Sequence, residues 1–209
     1  MNQTLVATEV QDLLLEQLAE QGFAIIPEFI NGESVEAILQ VFADFQQKGL
    51  FKHAAIGKGE DQQIAAKIRS DEIAWIDVAK SPLSLELYFK KIRSIIHFLN
   101  RNAFLGIQDS EFHFAHYQAG SFYAKHVDQF KQDQKRVLST VLYLNQNRQA
   151  DEGGALLIYP ERGGQEVVQI EPNAGTFVLF ESHLPHEVLP AKKSRKSITG
   201  WLCNQPLLL

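Results

Sequence analysis

Val137-Leu138-Ser139-Thr140-Val141-Leu142-Tyr143-Leu144 is a run of apolar and β-branched side chains that contains no glycine, proline or charged residue. Such a composition favours an extended strand. Comparable segments recur on both sides of it, with turn-forming Gly, Pro, Asn and Asp between them: Phe112–Tyr117, Ala155–Tyr159, Val167–Ile170, Thr176–Phe180 and Ser197–Leu202. Short strands separated by turns predict an antiparallel sandwich or barrel over the second half of the chain.

Before this region the pattern is helical. Apolar residues at helical spacing predict three helices, and Gly22 is placed to end the first of them. Asn31 is placed to cap the second helix and Gly49 to end it. Ser81-Pro82, a cap followed by proline at the first helical position, opens the third helix, which runs to about Leu99. The N-terminal half is therefore predicted to be mainly helical.

Two shorter features complete the predicted fold. Phe23–Ile26 predicts a short strand, and the polar stretch Ile56–Asp77 predicts a long mobile loop, of the kind that often forms a functional lid, ending in a strand at Ile73–Ile76. We predict an α+β fold, a distorted double-stranded β-helix (jelly roll) with the N-terminal helices packed on one sheet. Residues 1–209 then form one domain, with helical support and the loop 56–77 within 1–105 and the jelly-roll core at 106–209.

Composition excludes several classes of protein. The chain is 45% hydrophobic and 22% charged, as in an ordinary soluble globular protein. The net charge of −5 gives no reason to expect nucleic-acid binding, and no apolar run approaches the ~20 residues needed to cross a membrane. The N-terminus carries acidic residues and is not expected to be a signal peptide. Cys203 is the only cysteine, which excludes an intramolecular disulfide and a thiolate zinc cluster and predicts a reduced, cytoplasmic setting.

The most informative short pattern is His126-Val127-Asp128 with His186 farther along the chain. Residues i and i+2 of a strand point to the same face, so His126 and Asp128 can aim at one point from a strand or its frayed end. His186 follows an apolar run across a Pro-containing turn and can begin another strand. Two imidazoles and one carboxylate form the face that binds non-haem Fe(II) and leaves positions open for substrate, cosubstrate and dioxygen. Arg195 follows His186 closely and can hold a carboxylate near that metal with its bidentate fork.

Rival interpretations stay open at this point. Two histidines and a carboxylate also suit a catalytic zinc, although zinc hydrolysis gives Arg195 no role and the arginine favours iron with a dicarboxylate cosubstrate. His183 competes with His186 as a ligand, and we interpret it as a surface turn residue. The other histidines lack an acidic partner at metal-ligand spacing and are interpreted as packed or solvent-facing: His53, His97, His113 and His116. A cupin-like binding or sensing module without turnover is a further alternative.

Longer stretches of the sequence resemble a known family. The chain resembles the 2-oxoglutarate- and Fe(II)-dependent dioxygenases, specifically the prolyl 4-hydroxylases of the oxygen-sensing, Egl-nine (SM-20-like) type, as a bacterial member. The matching stretches occur in the family's order and with similar spacing across about residues 65 to 203. They are Ile68–Ile76, Tyr123–Asp128, Tyr143–Asn145, Gly153–Pro160, His186–Ala191 and Arg195–Trp201.

The resemblance implies roles for individual residues. It implies that iron is bound by His126, Asp128 and His186. It implies that 2-oxoglutarate is held or lined by Arg195, Tyr143, Thr199, Trp201, Leu156 and Tyr117. It implies catalytic roles for Asp71, near the iron-bound water, and for its expected partner Arg136. It places Tyr123 and Trp75 close to the substrate.

The resemblance also implies an activity. The expected reaction is hydroxylation of a prolyl residue of a protein at C4, with Fe(II), 2-oxoglutarate and O2 consumed or bound, succinate and CO2 released, and ascorbate as a further cofactor. Bacterial relatives imply a translation elongation factor as one candidate partner. We do not expect the chain to bind nucleic acid or a membrane. The polar stretch Gln129–Lys135 departs from the family pattern on a surface that shapes substrate choice. The same chemistry on another side chain, a free amino acid or a small molecule is therefore an open alternative.

Overall fold

We describe a computed structural model of the chain, which covers residues 6–54, 67–129, 134–164 and 166–206. Residues 56–66 of the predicted mobile loop 56–77 lie outside the described residues, as do residues 130–133 of the polar stretch Gln129–Lys135. Within these ranges, no helix is both long enough and apolar enough to cross a membrane.

Three α-helices form where the apolar spacing predicts them: α1 is Thr8–Gln21, α2 is Gly32–Gln47 and α3 is Leu83–Asn102. Gly22 takes the left-handed conformation that ends α1, with φ of 83°, which favours glycine. Asn31 caps α2 by accepting a hydrogen bond from the backbone N–H of Ser34. The predicted cap of α3 is wrong. Pro82 is the capping residue, and the Ser81 hydroxyl instead donates to the carbonyl of Val78, in a short 3₁₀ turn that precedes the helix.

The described residues form two antiparallel sheets. Their strands, in chain order, are β1 Phe23–Ile26, β2 Lys52–His53, β3 Glu72–Ile76, β4 Asp109–Tyr117, β5 Tyr123–His126, β6 Arg136–Tyr143, β7 Leu156–Ile158, β8 Val168–Ile170, β9 Phe177–Glu181, β10 His186–Val188 and β11 Arg195–Cys203. The larger sheet has the order β1-β9-β6-β11-β4-β3-β2 and the smaller one β5-β10-β7-β8. The α+β prediction is confirmed: helices accompany two facing antiparallel sheets, and the sequence patterns foresaw all the longer strands.

Alternation along the strands decides which residues can build a site. On β4, Phe112 and Phe114 point to the helices and pack in the main core with residues such as Phe42 of α2. Ala115 and Tyr117, at odd-numbered positions of the same strand, point the other way, into a second apolar cluster between the sheets. The inner face of the larger sheet is therefore the wall of the space in which the predicted site residues meet.

Gly200 of β11 is a position where the fold leaves no room for a side chain. A Cβ there would lie 2.6 Å from the backbone oxygen of Glu111 and closer still to the ring of Phe112. We expect Gly200→Ala to lower the free energy of unfolding by about 1–3 kcal/mol, because neither a paired strand nor a buried ring can move away cheaply. Urea unfolding tests this, with Gly32→Ala as the control. Gly32 begins α2 with open space around its Cα, so alanine there should change stability by less than about 1 kcal/mol. Equal losses in the two variants would contradict the packing argument.

Candidate metal centre

Strands of the smaller sheet bring two histidines and an aspartate to one point. His126 ends β5 and lies opposite His186, the first residue of β10. Asp128 follows just beyond the end of β5, where its N–H donates to the carbonyl of Ser182 at 2.9 Å. The Nε2 atoms of His126 and His186 lie 3.6 and 3.5 Å from the carboxylate oxygens of Asp128, and one ligand atom from each residue lies within 4.8 Å of the other two. Three such atoms around one point can hold a metal ion.

The histidine rings are oriented for metal binding. Nδ1 of His126 lies 2.8 Å from the carbonyl oxygen of Ala124, and Nδ1 of His186 lies 2.9 Å from that of Leu184. A carbonyl only accepts hydrogen bonds, so each Nδ1 carries the proton and each Nε2 carries the lone pair. This is how proteins fix the tautomer and orientation of a metal-binding histidine. Both lone pairs are thereby available on the side that faces Asp128.

Asp128 is the charged member of the cluster. Its carboxylate is buried and accepts a 2.7 Å hydrogen bond from the hydroxyl of Ser139, which also lies 2.9 Å from the hydroxyl of Ser182. Burial alone would raise the pKa of this carboxyl, but His186, His126 and Ser139 together outweigh burial and hold the pKa below its usual range. Burial lowers the pKa of His186 to about 4. The cluster is therefore one anion and a neutral imidazole in the buried part of the site, a donor set suited to a divalent cation.

A cavity lined by this cluster also reaches Arg195. Arg195 is only 2% exposed, and its guanidinium carbon lies 4.7 Å from the ring centroid of Tyr117 and 5.0 Å from that of Tyr143. Neither Nε of Arg195 nor the hydroxyl of Tyr143 has a hydrogen-bond partner among the described residues. A buried charge and a buried hydroxyl are costly to leave unpaired, and a ligand carboxylate would satisfy both. Thr199 and Leu156 line the same cavity.

The two residues expected near the substrate are Tyr123 and Trp75. The Tyr123 ring is stacked on His126, with centroids 3.5 Å apart. Trp201 lines the cavity with its indole nitrogen unpartnered among the described residues. Trp75 is 53% exposed and lies outside Trp201, with ring centroids 6.2 Å apart. Tyr123 therefore contacts the cluster directly, whereas Trp75 contacts Trp201, which was expected beside the cosubstrate and lines the cavity.

The expected pairing of Asp71 with Arg136 is wrong. The Asp71 carboxylate is held by Arg69 through hydrogen bonds of 2.8 and 2.7 Å, and Arg136 bonds Glu111 at 3.1 and 2.7 Å. The reason is topological: Arg69 is two residues from Asp71, whereas Glu111 and Arg136 flank Trp201 from the strands on either side of it. The Arg136 guanidinium lies over the Trp201 ring, 3.5 Å from its centroid.

Some site residues escaped the sequence interpretation. Arg69 lies within a stretch that matched the family but received no role, and Ser139 looked like an ordinary residue of a strand. His113 lines the cavity and is buried, which agrees with its interpretation as a packed side chain and lowers its pKa to about 3. His183 lies outside the cluster, 42% exposed and near Glu181, as expected for a turn residue. No sequence signal marks Ser139, because its hydrogen bond to Asp128 exists only once the fold brings the two residues together.

Comparison with known proteins decides the family. Residues 112–203 match the model of the "2OG-Fe(II) oxygenase superfamily". A crystal structure of a prolyl-4-hydroxylase from Pseudomonas putida is 32% identical and superimposes with a TM-score of 0.82, over 94% of this chain and 100% of that one. The chain belongs to the 2OG-Fe(II) oxygenase superfamily. Membership implies Fe(II), 2-oxoglutarate and dioxygen, and the donor atoms of the cluster suit a metal ion.

Two other similar proteins are named as prolyl hydroxylases, and one of them was solved with a bound peptide. A prolyl hydroxylase from Trichoplax adhaerens, solved in complex with a peptide fragment of the hypoxia-inducible factor oxygen degradation domain, is 29% identical with a TM-score of 0.83, over 94% of this chain and 90% of that one. The hypoxia-inducible factor prolyl hydroxylase of Caenorhabditis elegans is 30% identical over 94% of this chain. The chain spans only 28% of the length of that protein.

Proposed function

We propose that this oxygenase hydroxylates a prolyl residue of a protein substrate at C4, with Fe(II), 2-oxoglutarate and O2, and releases succinate and CO2. One observation carries the proposal: the His-Asp-His cluster lines the same cavity as a buried arginine that forms no ion pair with any described carboxylate. The similarity to proteins named prolyl hydroxylases supports the choice of substrate.

In this proposal His126, Asp128 and His186 hold the iron, which, when bound, supplies the activation of dioxygen and the oxidation of a C–H bond. Arg195 and Tyr143 would bind the distal carboxylate of 2-oxoglutarate, the arginine through its two-pronged fork. This leaves the 2-oxo acid end of the cosubstrate free to face the metal.

The remaining residues would shape the space around the cosubstrate. Leu156 and Tyr117 provide apolar walls that exclude water, and Thr199 contributes one hydroxyl. Water exclusion matters because charges and dipoles act more strongly in a dry site.

The substrate would enter at the Tyr123 side. Trp75 offers it apolar surface next to Trp201, which the resemblance assigns to the cosubstrate pocket and whose ring lies against the Arg136 guanidinium. Asp71, expected as a catalytic residue paired with Arg136, would act in this proposal through Arg69. The bound peptide would be positioned by these side chains, and the metal would carry the difficult chemistry.

Finer assignments rest on the resemblance alone. A translation elongation factor is our candidate substrate, and ascorbate our candidate accessory reductant. The single, buried Cys203 supports a cytoplasmic location, where thiols stay reduced. We further propose that residues 1–209 act as one domain.

Succinate formation tests the proposed function. The purified chain is incubated with Fe(II), 2-oxoglutarate and a cell extract, and succinate is measured together with a proteome-wide search for the mass of one oxygen atom added to proline. We expect succinate above the extract-only control and at least one hydroxyprolyl peptide whose signal depends on the chain. Oxygen addition confined to another residue type would redirect the proposal to that side chain. No turnover together with a tightly held zinc would contradict the oxygenase function.

A further inference from the structure

We propose that Arg69 is a positioning residue for the metal site: it fixes the ring of Tyr123, and Tyr123 fixes the ring of His126. The guanidinium carbon of Arg69 lies 4.1 Å from the centroid of the Tyr123 ring. The Tyr123 and His126 rings are nearly parallel, with 15° between their planes and 3.5 Å between their centroids. The inference rests on the metal site of the proposed function and not on the identity of the substrate.

A bulge in β5 puts Tyr123 and His126 on the same face. They are three residues apart, and in a regular strand an odd spacing points two side chains to opposite faces. In β10, however, the partners of His126 and Tyr123 are His186 and Val188, which are only two residues apart, and the register shifts between them. The extra residue in β5 is a β-bulge, a feature that re-aims side chains and is common beside active sites. The stack is therefore built into the register of the smaller sheet.

The other edge of β5 holds Arg69 opposite Tyr123. Arg69 and Tyr123 form an isolated antiparallel bridge, and the N–H of Ala124 donates to the carbonyl of Ile68 at 2.7 Å. Directly opposite residues of an antiparallel pair project to the same side. Arg69 therefore reaches the Tyr123 ring as a cross-strand neighbour.

Asp71 fixes the plane of the guanidinium. Its carboxylate is fully buried and takes two hydrogen bonds from Arg69, from Nε at 2.8 Å and from a terminal nitrogen at 2.7 Å. The two bonds lock the fork in one orientation, while its flat face rests on Tyr123. A lysine provides neither the second bond nor the flat face. Asp71 thus acts on the metal site through Arg69 and Tyr123.

The stacked Tyr123 ring restricts the orientation of His126 more than the backbone hydrogen bond alone does. The bond from Nδ1 to the carbonyl of Ala124 fixes the tautomer, but a single hydrogen bond lets the imidazole ring rock about it. The parallel face of Tyr123 removes that freedom and keeps Nε2 aimed at the point shared with Asp128 and His186. Groups that orient a metal ligand in this way typically change metal affinity about 10- to 100-fold when they are removed.

Mn(II) binding by the purified full chain tests the inference, with free Mn(II) measured by electron paramagnetic resonance. Arg69→Met and Arg69→Lys are each expected to raise the Mn(II) dissociation constant about 10- to 100-fold, because both lose the planar fork. Tyr123→Phe keeps the ring and should keep the affinity of the unmodified chain. Arg162→Met is the matched control: Arg162 also makes a two-pronged pair, with Glu181 at 2.9 and 2.8 Å, but does not line the cavity. Arg162→Met should lower the stability of the fold and leave the Mn(II) dissociation constant unchanged.

The outcomes separate the inference from the proposed function. Unchanged Mn(II) affinity in folded Arg69→Met overturns the positioning role. If that variant fails to fold, Tyr123→Leu removes the same stack from its other member, and unchanged affinity there has the same meaning. Failure of the unmodified chain to bind Mn(II), or equal binding after His126→Ala, contradicts the metal site of the proposed function itself.

Discussion

Asp128→Ala is expected to abolish metal binding, with a Mn(II) dissociation constant raised by well over about 100-fold. The change removes the only anion of the cluster, and loss of a direct ligand must exceed the 10- to 100-fold effect of losing a group behind one. Two neutral imidazoles remain, which hold a divalent cation weakly. Succinate formation should fall to the level of the extract alone. Equilibrium dialysis with Mn(II), followed by metal analysis, measures the affinity.

Folding failure must be distinguished from ligand loss in this test. Asp128→Asn keeps the side-chain volume and an oxygen that can accept the hydrogen bond from Ser139. We expect it to fold like the unmodified chain, as judged by its thermal transition, and still to lose the metal. His183→Ala is the matched control, because His183 is a nearby histidine outside the cluster. If His183→Ala lost Mn(II) as completely as Asp128→Asn, the assignment of the three ligands would be contradicted.

Arg195→Met is expected to weaken 2-oxoglutarate binding by about 100-fold or more. Removing one partner of a buried ion pair costs roughly 3–5 kcal/mol, and each 1.4 kcal/mol is about tenfold in affinity. Arg195→Lys keeps the charge but not the two-pronged geometry, so an intermediate loss is expected. The dissociation constant can be measured by calorimetry in the presence of Mn(II), without reference to turnover.

The same substitution should have the opposite effect on the ligand-free protein. Among the described residues Arg195 forms no ion pair and donates only a long, 3.4 Å hydrogen bond to the hydroxyl of Ser197, so methionine replaces a buried cation without a counter-charge by an apolar chain of similar length. We expect an unchanged or higher melting temperature without 2-oxoglutarate. We also expect loss of the stabilisation that excess cosubstrate gives the unmodified chain, about 2.7 kcal/mol at 100 times its dissociation constant. Strong destabilisation of ligand-free Arg195→Met would show that the arginine serves the fold.

Local patterns were sufficient for most of the fold. The left-handed turn at Gly22 and the cap at Asn31 depend only on neighbouring backbone, so the helix boundaries could be predicted. The composition of Val137–Leu144 favours an extended strand whatever its neighbours are, so this strand could be predicted as well. Ser81 failed as a cap because the preceding 3₁₀ turn competes for its hydroxyl, and that turn is set by its own contacts.

The site divides in the same way. The three metal ligands could be predicted from the sequence. Few residue types bind iron, and His126, Asp128 and His186 are of those types at a suitable spacing. The choice between Arg69 and Arg136 as the partner of Asp71 was not visible, because it depends on the strand pairing that places Arg136 next to Glu111. The stack on His126 also depends on a bulge, and a bulge is defined only by the strand on the other side. Register is a property of pairs of strands, and single-chain patterns do not specify it.

The central claim is that the His-Asp-His cluster and Arg195 are two ends of one cosubstrate site. Calorimetric titration of 2-oxoglutarate into the chain, with and without Mn(II), tests it most directly. The claim predicts one binding event per chain that requires the metal and that is lost in both Asp128→Ala and Arg195→Met. Binding of equal strength without metal, or undiminished binding in either variant, would contradict it.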